Sequence, residues 1–294
     1  MQIYNIELGD KEKYNLIHFP GGELHIRLNE TVMSEIEKSE SVVVTARVTN
    51  SDKLIETLLL CDAVRQDANR SVSLILPYLP YGRADRRFSP GDCFGVATFA
   101  RLINSANVTP VTLDAHSAQG LQHFDRIQDL PSSTFIERAV NDFGSNSAND
   151  VTLLFPDKGA RQRYDAVSNR YKHVLHCSKE RNLLTGKLKG FKVPERGEFQ
   201  TKKVLIVDDI CDGGGTFNGI ADSLKEFELN LALYVTHGIF SKGYAELDKR
   251  FEKIYTTDSF TKEFGTSEKA ASTNLTVYPT HEYFLQNLPE LQKI

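Results

Sequence analysis

Apolar residues in this chain fall into short runs spread over almost its whole length. Runs at 42–46, 71–76, 110–113, 151–155, 173–177, 204–207, 231–235 and 253–256 are dominated by Val, Leu, Ile and other apolar residues. Short continuous runs of this kind, bounded by polar or glycine-bearing segments, predict strands buried on both faces. Between several of them the period lengthens to that of a helix. Residues 53–65 carry Leu54, Leu58, Cys61 and Val64 on one face, and 94–105 and 160–169 also read as helices. Alternating strands and helices predict α/β architecture with parallel sheets flanked by helices. The strands are too many for one comfortable open sheet, so two sheets are expected. The break falls near 130–134, LPSST, or in the polar stretch 144–150, GSNSAND. This gives an N-terminal α/β domain at 1–133 and a C-terminal one at 134–294, with the last helix packing back on the first domain.

Length and composition agree with two ordinary domains. The 294 residues are 40% hydrophobic and 25% charged, which suits packed globular cores. A formal net charge of −4 argues against nonspecific nucleic-acid binding. Cys61, Cys93, Cys177 and Cys211 are far apart and form no CxxC pair. They read as reduced thiols of a cytoplasmic protein, Cys211 as a small filler. The start, MQIYNIELGD, lacks the basic-then-apolar order of a secretion signal. No apolar run reaches the length of a membrane span, so a soluble protein without a membrane partner is expected.

The richest chemistry lies at 202–217, KKVLIVDDICDGGGTF. A buried strand leads to Asp208 and Asp209, expected at its end, then to Asp212, Gly213, Gly214 and Gly215. Thr216 follows as a hydroxyl suited to capping the next helix. In open α/β sheets ligands bind outside the carboxyl ends of strands, and glycines let the backbone approach closely. Backbone N–H groups at such a turn favour phosphate, while carboxylates accept hydrogen bonds from hydroxyls. Paired acids beside an anion nest suit a phosphorylated sugar. No GxxxxGK[ST] occurs, so this is not the usual nucleotide P-loop. An ordinary strand–turn–helix with surface acids is the plainer alternative.

Other strand ends carry further groups. PYLPYGRADRR at 77–87 brings Arg83, Asp85, Arg86 and Arg87 together with Tyr78 and Tyr81. Arginine recognises phosphate through two parallel bonds and stacks on aromatic faces, so a nucleoside triphosphate or a solvated basic turn both fit. His116 follows one strand, and Asp157 another with Arg161 and Arg163 behind it. Either a structural role or a share in a hard cation is open to them. Residues 179–201 form a long non-periodic stretch with basic residues and scattered glycines, which reads as a mobile lid.

The loop at 208–216 resembles the phosphoribosyl-diphosphate-binding loop of type I phosphoribosyltransferases. The full ordered set resembles the ribose-phosphate diphosphokinase family, the phosphoribosyl-diphosphate synthetases. FPGGE, with Phe19 and Glu23, is similar to that family's adenine-contacting FxDGE loop. PYLPYGRADRR is similar to its YxRQDR segment, LDAHSAQ to VDLHxxQ, and FPDKGARQR to SPDxGxxxR. Lys179 and Arg181, in SKERN, fall where the family has a catalytic KxR, and THGIFS at 236–241 is a further likeness.

The resemblance implies two phosphoribosyltransferase type I-like domains. It implies transfer of the β,γ-diphosphoryl group of ATP to the 1-hydroxyl of ribose 5-phosphate. Lys179 and Arg181 would be catalytic, and Phe19, Glu23, Arg83, Asp85 and Arg86 would bind ATP. Asp208, Asp209 and 212–216 would bind the ribose phosphate. Mg²⁺ would sit near His116 and Asp157, and a homo-oligomer is implied, since the FxDGE loop reaches a neighbouring subunit. Three departures stand out. Gly21 replaces Asp in FxDGE, Ala84 replaces Gln in RQD, and Gly213 stands where the family commonly has Thr. The last removes one hydroxyl donor and is expected to open space, which keeps a 5′-substituted ribose such as ADP-ribose as an alternative acceptor. A noncatalytic regulatory subunit is the second alternative.

Overall fold

The computed structural model describes residues 3–68, 72–181, 188–264 and 274–288. The chain divides into two compact units, 1–130 with 280–294 and 131–279.

The first unit starts with β1 (Ile3–Glu7) and a hairpin of β2 (Tyr14–His18) and β3 (Leu24–Leu28). It continues through α1 (Glu30–Lys38), β4 (Ser41–Thr45), α2 (Ser51–Ala68), β5 (Val72–Leu76), α3 (Gly95–Ser105), β6 (Thr109–Leu113), α4 (Ala118–Leu121) and β7 (Gln128–Leu130). β1, β4, β5, β6 and β7 pair in that order, every pair parallel. Every residue of β4 and of β5 is buried, the small polar Ser41, Thr45 and Ser73 included, as strands covered on both faces require. α2 presents Leu54, Leu60, Cys61 and Val64 to the core. Burial pushes the Cys61 thiol up to about 12, which leaves it a packing group.

The second unit comprises α5 (Ser133–Phe143), β8 (Val151–Phe155), α6 (Lys158–Arg163), α7 (Asp165–Ser168), β9 (Val174–His176), β10 (Ser178–Arg181), β11 (Leu188–Lys192), β12 (Lys203–Cys211), α8 (Gly215–Ser223), β13 (Asn230–Gly238), α9 (Ala245–Asp248), β14 (Lys253–Thr257) and β15 (Leu275–Tyr278). Its parallel six-stranded sheet runs β15-β14-β13-β12-β8-β9. α10 (His281–Gln286) belongs to the first unit.

Three expectations need correction. The helix expected over 160–169 is two short helices, α6 and α7, broken at Tyr164 (φ −101°, ψ 24°). Tyr164 is buried and stacks on Phe155 with ring centroids 5.9 Å apart, so core packing overrides helical continuity. The stretch at 179–201 is not one irregular loop. β10 and β11 form an antiparallel ribbon at its base, and residues 182–187 lie outside the described residues. The Phe191 ring reaches 3.0 Å from where a Cβ on Gly219 would be, so β11 is docked closely on α8. The acids at 208 and 209 do not end their strand. β12 runs on to Cys211, because its ladder to β13 continues to Gly238 while its ladder to β8 stops at Ile206.

The hairpin is fastened to α2 through Tyr14. Its hydroxyl donates to Glu56 Oε1 at 2.6 Å and accepts from the Gly9 N–H at 2.5 Å, and Glu56 also takes Lys53 Nζ at 2.7 Å. Glu56 is buried, so losing a donor leaves its carboxylate under-solvated. Tyr14→Phe should destabilise the protein by about 1–3 kcal/mol, read from urea unfolding. An unchanged midpoint would show that water replaces the phenol.

Candidate functional site

In the second unit the site grows from the extension of β12 that pairs with β13 but no longer with β8. Asp208 is half-buried and Asp209 almost fully buried, with the Asp209 N–H donating to Asp208 Oδ1 at 3.0 Å. Arg163, at the end of α6, forms an ion pair with Asp209 Oδ2. Loss of water and the adjacent Asp209 charge push the Asp208 carboxyl well above the ordinary range, against the opposing effect of Arg163. The pair therefore holds a proton to unusually high pH and titrates as a unit.

Beyond it the chain turns through Asp212–Gly213–Gly214 into α8. Gly214 is the N-cap with φ 74° and ψ 0°, a left-handed conformation that favours glycine. Thr216 is thus within the first turn, not the capping residue, since glycine takes the left-handed position ahead of it. The segment after β13 is stitched to this turn. Ile239 and Phe240 donate to the Cys211 carbonyl at 2.9 and 3.1 Å, and Ser241 N donates to the Asp212 carbonyl at 3.1 Å. Ser241 Oγ donates to Asp212 Oδ1 at 2.6 Å. The space expected beside Gly213 is not open. A Cβ at that position would lie 3.3 Å from both Cδ and Cε of Lys242, whose stem crosses it. Cys211 is buried and its thiol is pushed up to about 12 by burial and the neighbouring acids, in keeping with a filler.

Asp157 is the N-cap of α6, its Oδ1 accepting from Ala160 N at 2.9 Å. Lys179 and Arg181 lie on β10 opposite Phe191 and Leu188, and their side chains fall outside the described residues.

In the first unit a separate polar cluster forms beyond β5 and β6. Asp85 is buried, and Arg86 donates to it through Nε and Nη2, each at 2.9 Å. This bidentate bond chiefly holds the Asp85 carboxyl below its usual range, helped by the Ser117 hydroxyl and the nearby His116. Arg86 is therefore engaged within the protein rather than presented as an isolated cation. Gly95 permits this packing, because a Cβ there would lie 3.0 Å from Ala84 Cβ and 3.1 Å from Tyr81 Cδ1. The loop holding His116 is fixed by β7. Asp114, at φ 47°, donates its N–H to Leu130 O at 2.9 Å, and Ala115 N donates to Asp129 Oδ1 at 3.0 Å. Arg83 is exposed on the same segment as Asp85.

Phe19 and Glu23 sit at the exposed tip of the hairpin, where Phe19 N donates to Glu23 O at 2.9 Å. The Glu23 carboxylate folds over Gly21, with Oε2 2.6 Å from where a Cβ would be, so any larger residue there must move it. Among the described residues no three His, Cys, Asp or Glu side chains gather as a metal cluster. The sequence reading did not single out Ser117, Ser241 or Lys242. Ser241 stood inside the THGIFS likeness, but nothing in spacing linked it to Asp212 across the loop.

The raised Asp208 carboxyl has a definite pH consequence. Between its unfolded value near 4 and its higher folded value, the folded protein binds more protons, so stability falls as pH rises through that window. Asp208→Asn removes the titration. Its melting temperature should exceed that of the parent by roughly 2–4 °C at pH 7–8, with the gap closing toward pH 4. Thermal melts across that range check this, and a gap independent of pH would refute it.

Residues 2–106 match the family model for the N-terminal domain of ribose phosphate pyrophosphokinase, and 135–270 match the phosphoribosyl transferase domain. A ribose-phosphate pyrophosphokinase of Rhizobium meliloti is 31% identical over 242 residues, 81% of this chain and 75% of that one. One from Agrobacterium fabrum is 29% identical over 260 residues, 87% and 81% of the respective chains. The crystal structure of phosphoribosylpyrophosphate synthetase from Mycobacterium smegmatis superposes with a TM-score of 0.78 at 18% identity, over 100% of this chain and 99% of that one. With two domain models matched in order and relatives aligned over most of their length, the chain belongs to the ribose-phosphate pyrophosphokinase family.

Proposed function

We propose that this protein transfers the β,γ-diphosphoryl group of ATP to the 1-hydroxyl of ribose 5-phosphate, giving 5-phosphoribosyl 1-diphosphate and AMP. The observation that carries the reading is the β12–α8 loop: two adjacent carboxylates followed within a few residues by a left-handed glycine turn and a helix N-terminus. That order suits one molecule bearing a diol at one end and a phosphate at the other. The names of the relatives support the same chemistry.

In the reaction the O1 oxygen bonds to the β-phosphorus as the bond from that phosphorus to the α-bridging oxygen breaks. AMP leaves with the bridging oxygen and its electron pair, and the O1 proton passes to solvent. Asp208 and Asp209 accept from the 2- and 3-hydroxyls and so fix the direction of O1. The backbone of 212–216 and the Thr216 hydroxyl hold the 5-phosphate. Arg83, Asp85 and Arg86, with Phe19 and Glu23, bind the nucleotide, with Asp85 holding the Arg86 guanidinium in orientation. Lys179 and Arg181 stabilise charge on the transferring group and on the departing AMP oxygen. Mg²⁺ fits the donors offered, since it takes few protein ligands beside water and phosphate oxygens. His116 in the first unit and Asp157 in the second each offer a donor to such an ion, which would neutralise phosphate charge.

No described helix is long and apolar enough to cross a membrane, and a cytoplasmic site of action accords with the free cysteines among the described residues. The 5′-substituted acceptor loses its main support, because Lys242 already crosses the space beside Gly213.

Purified protein with ATP, Mg²⁺ and a panel containing ribose 5-phosphate and ADP-ribose should release AMP, with ribose 5-phosphate preferred. Lys179→Ala and Arg181→Ala should each lower kcat about a hundredfold or more while nucleotide affinity changes little. No AMP with any acceptor, from folded protein, would favour the noncatalytic reading. The hairpin, with Phe19 at its tip 48% exposed and Leu16 on β2 37% exposed, is also the part that a neighbouring subunit would cover in a homo-oligomer. Light scattering should show at least a dimer, with specific activity falling on dilution; a fully active monomer contradicts it.

A further inference from the structure

The glycine loop lacks a side-chain donor at 213, yet the position is not bare. Lys242 runs across it, with Cδ and Cε each 3.3 Å and Cγ 3.6 Å from where a Cβ would stand. Its course is set by the backbone. Phe240, at φ 46°, and Gly243, at φ 72°, bracket a tight turn held to Cys211 and Asp212 by the bonds from Ile239, Phe240 and Ser241. Lys242 is exposed, and its ammonium has no hydrogen-bond or ion-pair partner among the described residues. The nearest acid in sequence, Glu246, is engaged by Lys249 and Arg250, and Asp212 receives the Ser241 hydroxyl on Oδ1.

We infer that Lys242 is a specificity-determining residue of the acceptor site, contributing a cation to the 5-phosphate at the place where residue 213 offers no side chain. The inference rests on the diphosphoryl-transfer reading for the identity of the acceptor. The steric facts set two arrangements in competition: a β-carbon and hydroxyl at 213 displace the lysine stem by a few tenths of an ångström, whereas over a glycine the stem lies undisturbed. A Cβ at 3.3 Å from two methylenes requires the stem to give way. The exchange also changes the physics of recognition. A hydroxyl contributes one neutral hydrogen bond, whereas an ammonium contributes a full charge and up to three donors. Charge-assisted bonds to phosphate are the stronger kind. The anion nest of the Gly214 turn and α8 supplies backbone donors, and Lys242 adds the neutralising charge that those donors lack. Binding through an exposed cation is also screened by salt.

The test uses the full chain and ribose 5-phosphate. Lys242→Ala should raise the KM for ribose 5-phosphate about tenfold and weaken its calorimetric Kd similarly, leaving kcat and the KM for ATP within about twofold. Lys242→Arg should stay within about threefold of the parent, and Lys242→Gln should behave like alanine. Raising salt from 50 to 300 mM should weaken ribose 5-phosphate binding less in the alanine variant than in the parent (roughly a Debye-screened cation). Gly213→Thr should impair binding when Lys242 is present and improve it in the Lys242→Ala background, a reversal of sign that a double-mutant cycle reads directly. An unchanged KM and Kd in Lys242→Ala overturns the assignment, as does strict additivity of the two substitutions. AMP release by the parent with an unaffected Lys242→Ala variant rejects Lys242 and leaves the transfer reaction standing. No AMP release by the parent, with ribose 5-phosphate binding weakened about tenfold by Lys242→Ala, rejects the reaction and keeps the binding role.

Discussion

Asp208 and Asp209 are consecutive on one strand, in a place with little water, and the guanidinium of Arg163 meets only the second of them in an ion pair. Two carboxylates so close cannot both ionise without cost, and burial adds to that cost. The fold tolerates the strain because β12 is clamped by β13 along its length and by β8 up to Ile206. The arrangement gives up stability and leaves two carboxyl groups side by side as acceptors. The same tension explains why the loop that follows is so tightly stitched. A turn with little side-chain volume needs the bonds from Ile239, Phe240 and Ser241 to stay in one conformation.

The second unit also connects its loop to its ribbon. Phe191 of β11 rests on Gly219 of α8, the helix that begins at the Gly214 turn. β11 pairs with β10, which carries Lys179 and Arg181 on its backbone. Packed interiors respond to displacement as units, so the base of the ribbon and the helix have a shared reference. The first unit shows a comparable economy. Asp85, Arg86, His116 and Ser117 gather on segments that follow adjacent parallel strands, β5 and β6. In open α/β sheets the carboxyl ends of neighbouring strands are where such side chains converge.

The sequence by itself determined the α/β class, most strands of both sheets and the order of the motifs. Dense apolar runs such as 42–44 and 204–207 can be buried on both faces only in a sheet covered by helices, so burial follows from composition. The acid–glycine loop was legible because paired acids and three glycines break an apolar run, although the acids lie within β12 and not at its end. β1, the hairpin, α1 and β15 were not read, since short mixed segments carry no decisive period. The tertiary structure alone decided how far β12 extends, because register against two unequal neighbours is a pairing matter and not a local one. It decided the break at Tyr164, where the energy of burying a ring beside Phe155 exceeds the value of one more helical turn. It also decided what fills the space at Gly213. Residues 213 and 242 are remote in sequence, and only the turn that follows β13 lays a lysine stem across a missing side chain.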